Sequence, residues 1–346
     1  MTIMFSLLVL AFFLAGISLN SANIAHVVSF TALSWGFFKI LKDKVQIKIP
    51  PNFIWIIIWI LILQINLIFT KEKVMPFYFF LTFLEGAGFW LVFFNLKENL
   101  SIKMSRTVIA ILLIYSLFYF VSKFFNLNLV QYMDYFYRFA PGPIHQHLGD
   151  FWAIGMILIG MQNLPILTLG TFFLVISHSR SAFLALFAGL THLLYIKGWK
   201  VNKKIFYLLL LIGIGLFIYT GFYKTILFSR PYYLQSLLGV IHFPLGAGMG
   251  NFTLISSFIG ERYQFLYWPS TYSLNIVLEA LSGAGVLFVP FLIWIVLTIK
   301  NVLKLKNKWA GVFLAVTVNF LFDYSYIIPG LIWIWFISLA LAQKEG

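Results

Sequence analysis

The stretch FIWIIIWILILQINLIF, residues 53–69, carries no charge, and Gln64 and Asn66 are its only polar residues. A membrane-spanning helix needs about 17–25 mostly apolar residues to cross a hydrocarbon core of ~30 Å. This stretch meets that requirement by itself. We therefore predict that it forms one membrane-spanning helix.

Similar apolar runs fill most of the chain. Hydrophobic residues make up 62% of the sequence, aromatic residues 20% and charged residues only 10%. A water-soluble fold of this size needs a polar exterior, and too few polar residues are present to form one. The runs are continuous and do not alternate, which disfavours a membrane β-barrel. The composition predicts an all-α, polytopic integral membrane protein that forms one membrane domain over residues 1–346.

We count about twelve predicted spans, three of which are short. The sixth, seventh and eighth could be tilted, re-entrant or merged, and the tenth is long enough that Pro290 is expected to kink it. The spans lie at residues 3–19, 24–41, 53–69, 75–94, 107–124, 151–161, 164–177, 182–196, 205–222, 273–299, 309–322 and 327–342.

Lysines are concentrated after even-numbered spans. Four such groups occur, after the second, fourth, eighth and tenth spans, and they contain Lys39, Lys42, Lys44, Lys48, Lys97, Lys103, Lys197, Lys200, Lys203, Lys204, Lys300, Lys304, Lys306 and Lys308. The positive-inside rule then places both termini in the cytoplasm and residues 223–272 in one large external loop. The net charge of +14 thus indicates topology and contact with anionic membrane lipids, and no nucleic acid partner is expected.

Arginines are concentrated on the predicted outer side, where four of the five occur. The planar guanidinium group binds phosphate in a bidentate manner, so these arginines indicate an anionic ligand at the outer leaflet. The alternative is that they extend to the membrane surface or pair with nearby acids. The four are Arg138, Arg180, Arg230 and Arg262.

Two further segments carry candidate site residues. The run FPLGAGMGNF, residues 243–252, has three alternating glycines, which could let the backbone approach a ligand or simply form tight turns. The run PIHQHLGD, residues 143–150, holds His145, His147 and Asp150. On a helix, His147 and Asp150 share a face, and the carboxylate could orient the imidazole as a general base. Metal ligation by the histidines with Asp150, and a purely structural role at the helix entrance, are the alternatives.

Several motifs occur in an order that resembles the O-antigen polymerase and O-antigen ligase superfamily. They are Ser179-Arg180, the isolated Arg230, residues 244–252, NIVLEALSGAG at residues 275–285, and NFLFDY at residues 319–324. The resemblance covers residues 138–335 and implies a GT-C-like fold of about a dozen helices with one large periplasmic loop.

The resemblance implies a membrane glycosyltransferase that needs no metal or other cofactor. Its substrate would be an undecaprenyl-pyrophosphate-linked oligosaccharide, a chain-length regulator would be a partner, and the bacterial inner membrane would be its location. The ligases of this family carry a histidine directly before the asparagine that aligns with Asn275, whereas this chain has Leu274. Leucine cannot accept a proton, so the resemblance favours a polymerase over a ligase. A flippase of lipid-linked sugars and a non-catalytic scaffold are rivals from other classes.

The predicted site therefore has two parts. His147, Asp150 and Glu279 are the candidate catalytic residues. The predicted ligands of the pyrophosphate or glycan are Arg180, Arg230, Arg138, His145, Asn275 and Asp323. Glu85, in the middle of the fourth span, is expected to bond to a neighbouring helix, since an unpaired carboxylate there is costly.

Overall fold

The computed structural model describes residues 2–15, 19–97, 100–124, 145–159, 164–177, 179–196, 222–264 and 270–345. Within these ranges the chain is helical and contains no strand, which confirms the all-α prediction there. We number the helices α1 Thr2–Ala15, α2 Leu19–Lys42, α3 Phe53–Phe69, α4 Val74–Asn95, α5 Leu100–Phe124, α6 His145–Ile159, α7 Leu164–Ile176, α8 Arg180–Ile196, α9 Phe222–His242, α10 Phe252–Arg262, α11 Ile276–Ala284, α12 Val289–Val302, α13 Lys308–Phe322 and α14 Pro329–Glu345.

Four helical stretches are long and apolar enough to cross a membrane, which indicates a helical membrane protein. They are Asn23–Lys42, Val74–Asn95, Leu100–Leu117 and Ile276–Val302. Six shorter apolar helices, of 10–17 residues, coincide with six further predicted spans. The ninth predicted span, residues 205–222, lies almost entirely outside the described residues.

The helices form a bundle with two distinct ends. At one end, which we call the lysine end, Asn95 Nδ2 donates to Lys48 O over 2.9 Å and Trp309 Nε1 donates to Ser101 Oγ over 2.7 Å. At the opposite end, which we call the site end, Asn275 Nδ2 donates to Leu321 O over 2.9 Å. This arrangement matches the alternation of lysines in the sequence. That the lysine end faces the cytoplasm is a prediction of the positive-inside rule.

Helix α14 is the centre of the bundle, and nearly all of its side chains are buried. Aromatic rings pack around it: the rings of Trp294 and Trp335 lie edge to face with centroids 4.9 Å apart, and Phe336 stacks on Trp294 at 5.3 Å. Such pairs add to the stabilisation that comes from close packing. The chain therefore encloses a large aromatic core around its last helix.

The tenth predicted span is interrupted, but not where the sequence suggested. A 3₁₀ turn at Gly285–Phe288 separates α11 from α12. Pro290 lies in the first turn of α12, where proline does not kink a helix. The break exists because another loop hydrogen-bonds to the backbone there. Ala247 N donates to Ser282 O over 3.0 Å, and Val286 N donates to Pro244 O over 2.9 Å.

Residues 223–272, which we predicted to lie in one large external loop, are mostly helical in the part that the structure describes. Most of this segment is the helical pair α9 and α10, joined by the glycine-rich loop. The two helices pack on each other through a small apolar cluster that includes Phe252, Ile255 and Ile259. The low hydropathy of the segment obscured these helices in the sequence.

Candidate functional site

His147 and Asp150 lie in the first turns of α6, at the site end of the bundle. His147 Nδ1 and Asp150 Oδ2 are 3.1 Å apart, and both side chains are buried. The predicted contact across one helical face is therefore present. Helix α6 begins earlier than the predicted sixth span, which starts at Phe151, and this extra turn carries the pair.

Asp323 joins this pair from the end of α13. Suitable ligand atoms of His147, Asp150 and Asp323 all lie within 4.8 Å of one another. Ser181 Oγ donates to Asp323 Oδ2 over 2.8 Å, and Ser179 Oγ donates to Asp150 Oδ1 over 3.1 Å. We call these five residues the His–Asp cluster. It joins three helices whose sequences are far apart.

The connection between α7 and α8 positions the two serines. Helix α7 ends at Ile176 and α8 begins at Arg180, and Ser179 Oγ accepts a hydrogen bond from Ala182 N over 3.2 Å, as an N-cap residue does. Gly149 of α6 lies against this connection. A Cβ at residue 149 would be 2.8 Å from the Cβ of Ser177, so glycine is needed for the close approach.

Asp323 is the accessible acid of the His–Asp cluster. It is half-buried, whereas Asp150 is fully buried. Burial in the protein, and next the negative charge of Asp150, raise the pKa of Asp323 to about 6, against the opposing influence of His147. Two carboxylates this close do not ionise independently. The arrangement can hold or release a proton near neutral pH.

The same three residues have the spacing of metal ligands. Their oxygens are already engaged, however, since Asp150 accepts from Ser179 and Asp323 accepts from both Ser181 and the backbone N–H of Tyr324. Each carboxylate keeps further lone pairs beyond these hydrogen bonds, so the same residues can act as an acid–base group or as metal ligands. The metal alternative from the sequence also used His145, whose side chain lies outside the described residues.

Arg180 is the first residue of α8 and is half-buried. Its two neighbours in sequence, Ser179 and Ser181, both belong to the His–Asp cluster, so Arg180 adjoins the cluster at the site end. Arg138 lies outside the described residues, and of Arg230 only the backbone, in α9, is described. The convergence of Arg180 and Arg230 on one cavity stays a prediction.

Glu279 lies in α11, in a second group of contacts that does not include the His–Asp cluster. Its Oε1 accepts from Gly250 N over 3.0 Å, and its Oε2 accepts from Ser273 N over 2.9 Å and from the hydroxyl of Tyr326 over 3.0 Å. A fully buried carboxylate with three donors anchors the chain. These contacts give Glu279 a structural role in holding the glycine-rich loop, and its catalytic role stays a prediction.

The glycine-rich loop approaches protein and not a ligand. Gly246, Gly248 and Gly250 all have φ between 80° and 93°, which favours glycine, and Gly248 N donates to Gly283 O over 2.9 Å. Asn66 Nδ2 donates to both Leu245 O and Gly283 O, each over 2.9 Å. The prediction that these glycines admit a ligand is replaced by backbone docking against the broken helix.

Asn275 also has a structural place. Its Oδ1 accepts from Val277 N over 2.8 Å and from Leu278 N over 3.2 Å, so it caps α11. With its Nδ2 bonded to Leu321 O, its amide is committed to protein contacts. The predicted role in substrate binding has no support from these contacts.

Glu85 has the hydrogen-bonding neighbours that a fully buried carboxylate requires. His26 Nδ1 lies 2.7 Å from Glu85 Oε2, and Trp333 Nε1 donates to the same oxygen over 3.0 Å. Ser29 Oγ donates to Oε1. The expected bonding to neighbouring helices is confirmed, and it joins α2, α4 and α14.

Sequence reasoning missed the serines and the tyrosines of the site. The Tyr324 ring lies edge-on to His147 with centroids 5.5 Å apart, and Tyr272 stacks on Tyr324 at 5.9 Å. The Ser-x-Ser spacing around Arg180 at a helix start was a usable signal. No sequence signal indicated the tyrosine contacts, because these contacts depend on how the ends of three helices meet.

Comparisons with known proteins identified no relative of this chain. A scan against protein-family models, a search of curated proteins and a search of solved structures each found no match to this chain.

Proposed function

We propose that this protein is a membrane glycosyltransferase that polymerises a polysaccharide. It would transfer a glycan from undecaprenyl pyrophosphate to a hydroxyl of another lipid-linked repeat unit. The observation that carries the proposal is the His–Asp cluster, an acid–base group that adjoins Arg180 at the site end. The order of motifs that resembles the O-antigen polymerase superfamily supports the choice of substrate.

The reaction needs one bond formed and one broken. The acceptor hydroxyl oxygen attacks the anomeric carbon, and the bond between that carbon and the pyrophosphate oxygen breaks. The hydroxyl proton passes to a base of the protein, and the lipid pyrophosphate leaves with the bonding electron pair. No oxidant, reductant or energy-carrying cofactor is required.

His147 is the proposed base, oriented by Asp150. General-base assistance of this kind typically contributes ~10²–10⁴-fold to a rate. Asp323 is half-buried and lies close to the buried pair, so it is the proposed group that passes the proton outward. Its raised pKa, about 6, suits a group that exchanges a proton near neutral pH.

Arg180 is proposed to bind the leaving pyrophosphate, and Arg230 and Arg138 are proposed to contribute to the same site. Negative charge grows on the leaving group in the transition state, and a positioned guanidinium stabilises it directly. The bidentate geometry of arginine suits pyrophosphate better than the ammonium of lysine does. With this electrostatic assistance, the proposed mechanism does not call for a metal ion.

The proposed location is the bacterial inner membrane, with both termini cytoplasmic and the site end facing the periplasm. The lysine end then faces anionic lipid headgroups, as the positive-inside rule expects. A chain-length regulator is the proposed protein partner. A ligase is disfavoured by Leu274, which lies where the ligases carry histidine and which adopts φ 58° at the start of α11.

A reconstituted assay tests the proposal. Purified protein in lipid nanodiscs with lipid-linked repeat units as the sole substrate should yield a ladder of products that differ by one repeat unit. A single product, formed only when lipid A core is added, would instead identify a ligase. Substrate that crosses the bilayer chemically unchanged would identify a flippase, and either result would overturn the polymerase assignment.

A further inference from the structure

In the described part of α9, the exposed face is apolar and polar side chains are buried on the opposite face. Over residues 231–242, the exposed side chains are Leu234, Leu237 and Ile241, and the last two are 55% and 72% exposed. Their spacing of three and four residues places them on one face of the helix. The polar Gln235 and Ser236 are both fully buried on the other side.

A water-exposed helix shows the opposite pattern, with polar residues outside and apolar residues inside. A helix that turns leucine and isoleucine outward while burying glutamine and serine is arranged for an apolar solvent. We infer that the hairpin of α9 and α10 is embedded in the lipid of the leaflet at the site end, with hydrocarbon chains covering Leu234, Leu237 and Ile241. The segment is thus a membrane element and not an external loop.

The connection to α3 and α12 supports lipid as the occupant. Leu245, which follows α9, is 51% exposed, and its carbonyl accepts from Asn66 of α3. The backbone of Pro244 bonds to Val286, just before α12. Large apolar side chains are exposed on all three of these elements: Ile65, Ile68, Phe69, Leu245, Val286 and Val289.

Helix α10 also exposes large apolar side chains, with charge only at its end. Leu254 and Phe258 are exposed, and the charged Glu261 and Arg262 follow only at the last turn. At the start of α10, Asn251 Nδ2 donates to Glu72 O over 2.7 Å, in the charged connection between α3 and α4. Within α10, charge is thus confined to the last turn, as for a hairpin inserted in the interfacial region of a leaflet.

The chain has no cysteine, so single cysteines can carry a nitroxide spin label in the whole protein reconstituted in phospholipid nanodiscs. Leu237→Cys and Ile241→Cys are the test variants, and both change exposed side chains. Leu61→Cys, in the middle of α3 and half exposed, is the lipid reference. Lys71→Cys, in the charged connection after α3, is the water reference.

At each position we compare two collision rates of the spin label. One is with dissolved oxygen, which concentrates in lipid, and the other is with a water-soluble nickel chelate. At residues 237 and 241 we expect oxygen to dominate, as at residue 61, and nickel to dominate only at residue 71. Nickel dominance at 237 and 241 would place α9 in water and overturn the inference. Shielding from both reagents would mean that a protein partner or a second copy covers this face, which overturns it equally.

This inference does not rest on the proposed enzymatic activity. The spin-label measurement uses no glycan substrate, so its failure and the failure of the polymerase assay are distinguishable.

Discussion

Ser181 donates a hydrogen bond to Oδ2 of Asp323 over 2.8 Å, across 142 residues of sequence. The bond ties the start of α8 to the end of α13 and thereby closes the His–Asp cluster. A charge-assisted bond of this kind is worth about 1.5–3 kcal/mol, and losing it leaves a carboxylate oxygen less well solvated.

Replacing Ser181 with Ala should therefore lower both stability and activity. We expect the free energy of unfolding to fall by about 1–3 kcal/mol and turnover to fall because Asp323 loses its orientation. Thr171→Ala is the control, since Thr171 is exposed and its hydroxyl bonds only within α7. Equal behaviour of the two variants in denaturation and turnover assays would remove Ser181 from the site.

Activity should rise with pH through about 6. Burial and the charge of Asp150 raise the pKa of Asp323 to about 6, so its carboxylate is protonated below that pH and cannot accept a proton. The measurement is kcat/KM against pH, which reports the ionisation of the free enzyme. In Asp323→Asn, the fall of kcat/KM below about pH 6 should disappear, along with most of the activity. A fall that persists unchanged in the variant would assign the titration to another group.

Arg180→Ala should abolish polymerisation, and Arg180→Lys should restore little of it. The reason is that lysine keeps the charge but loses the bidentate fork that suits pyrophosphate. Arg262→Ala, at the exposed end of α10, is the matched control and should retain activity. Full activity in Arg180→Lys would show that only charge is needed there.

Arg180 and Arg230 should converge on one cavity at the site end, although fifty residues separate them in sequence. An experimental structure with bound lipid pyrophosphate would measure the distance between their guanidinium groups. A separation well over ~15 Å with no shared cavity would rule out joint binding, because each guanidinium must come within hydrogen-bond distance of the same pyrophosphate.

Gly283→Ala should destabilise the protein through the docked glycine-rich loop. A Cβ at residue 283 would be 2.5 Å from Met249 Cα, so backbone must move. We expect a loss of about 1–3 kcal/mol, as for overpacking elsewhere. Gly88→Ala is the control, because its Cβ would meet only the flexible side chain of Leu33 at 3.1 Å. Identical unfolding temperatures in detergent would show that the docking is dispensable.

The sequence predicted the parts of the fold that depend on composition and local spacing. Helical class followed from continuous apolar runs, and the contact of His147 with Asp150 followed from the three-residue spacing that a helix converts into one face. Asp323 was singled out, but its approach to that pair could not be predicted, because it depends on how α6 and α13 pack.

Glu279 shows the opposite case. An acid inside a predicted span invites a catalytic interpretation, yet its three donors come from Gly250, Ser273 and Tyr326, on three separate segments. Only the tertiary arrangement reveals that the carboxylate is engaged. The helices α9 and α10 were missed for a different reason, since the polar and charged residues among their apolar ones lower the mean hydropathy.

The His–Asp cluster as the site of glycosyl transfer is the central claim. Its most direct test is the single-turnover rate of His147→Ala with saturating lipid-linked repeat units, measured beside wild type. His192→Ala is the control, a histidine whose Nε2 bonds to Leu305 O at the lysine end. We predict a fall of at least ~10²-fold in the rate for His147→Ala, with substrate binding nearly intact and the control unaffected. A wild-type rate in His147→Ala would contradict the account and move proton acceptance to Asp323 or Glu279.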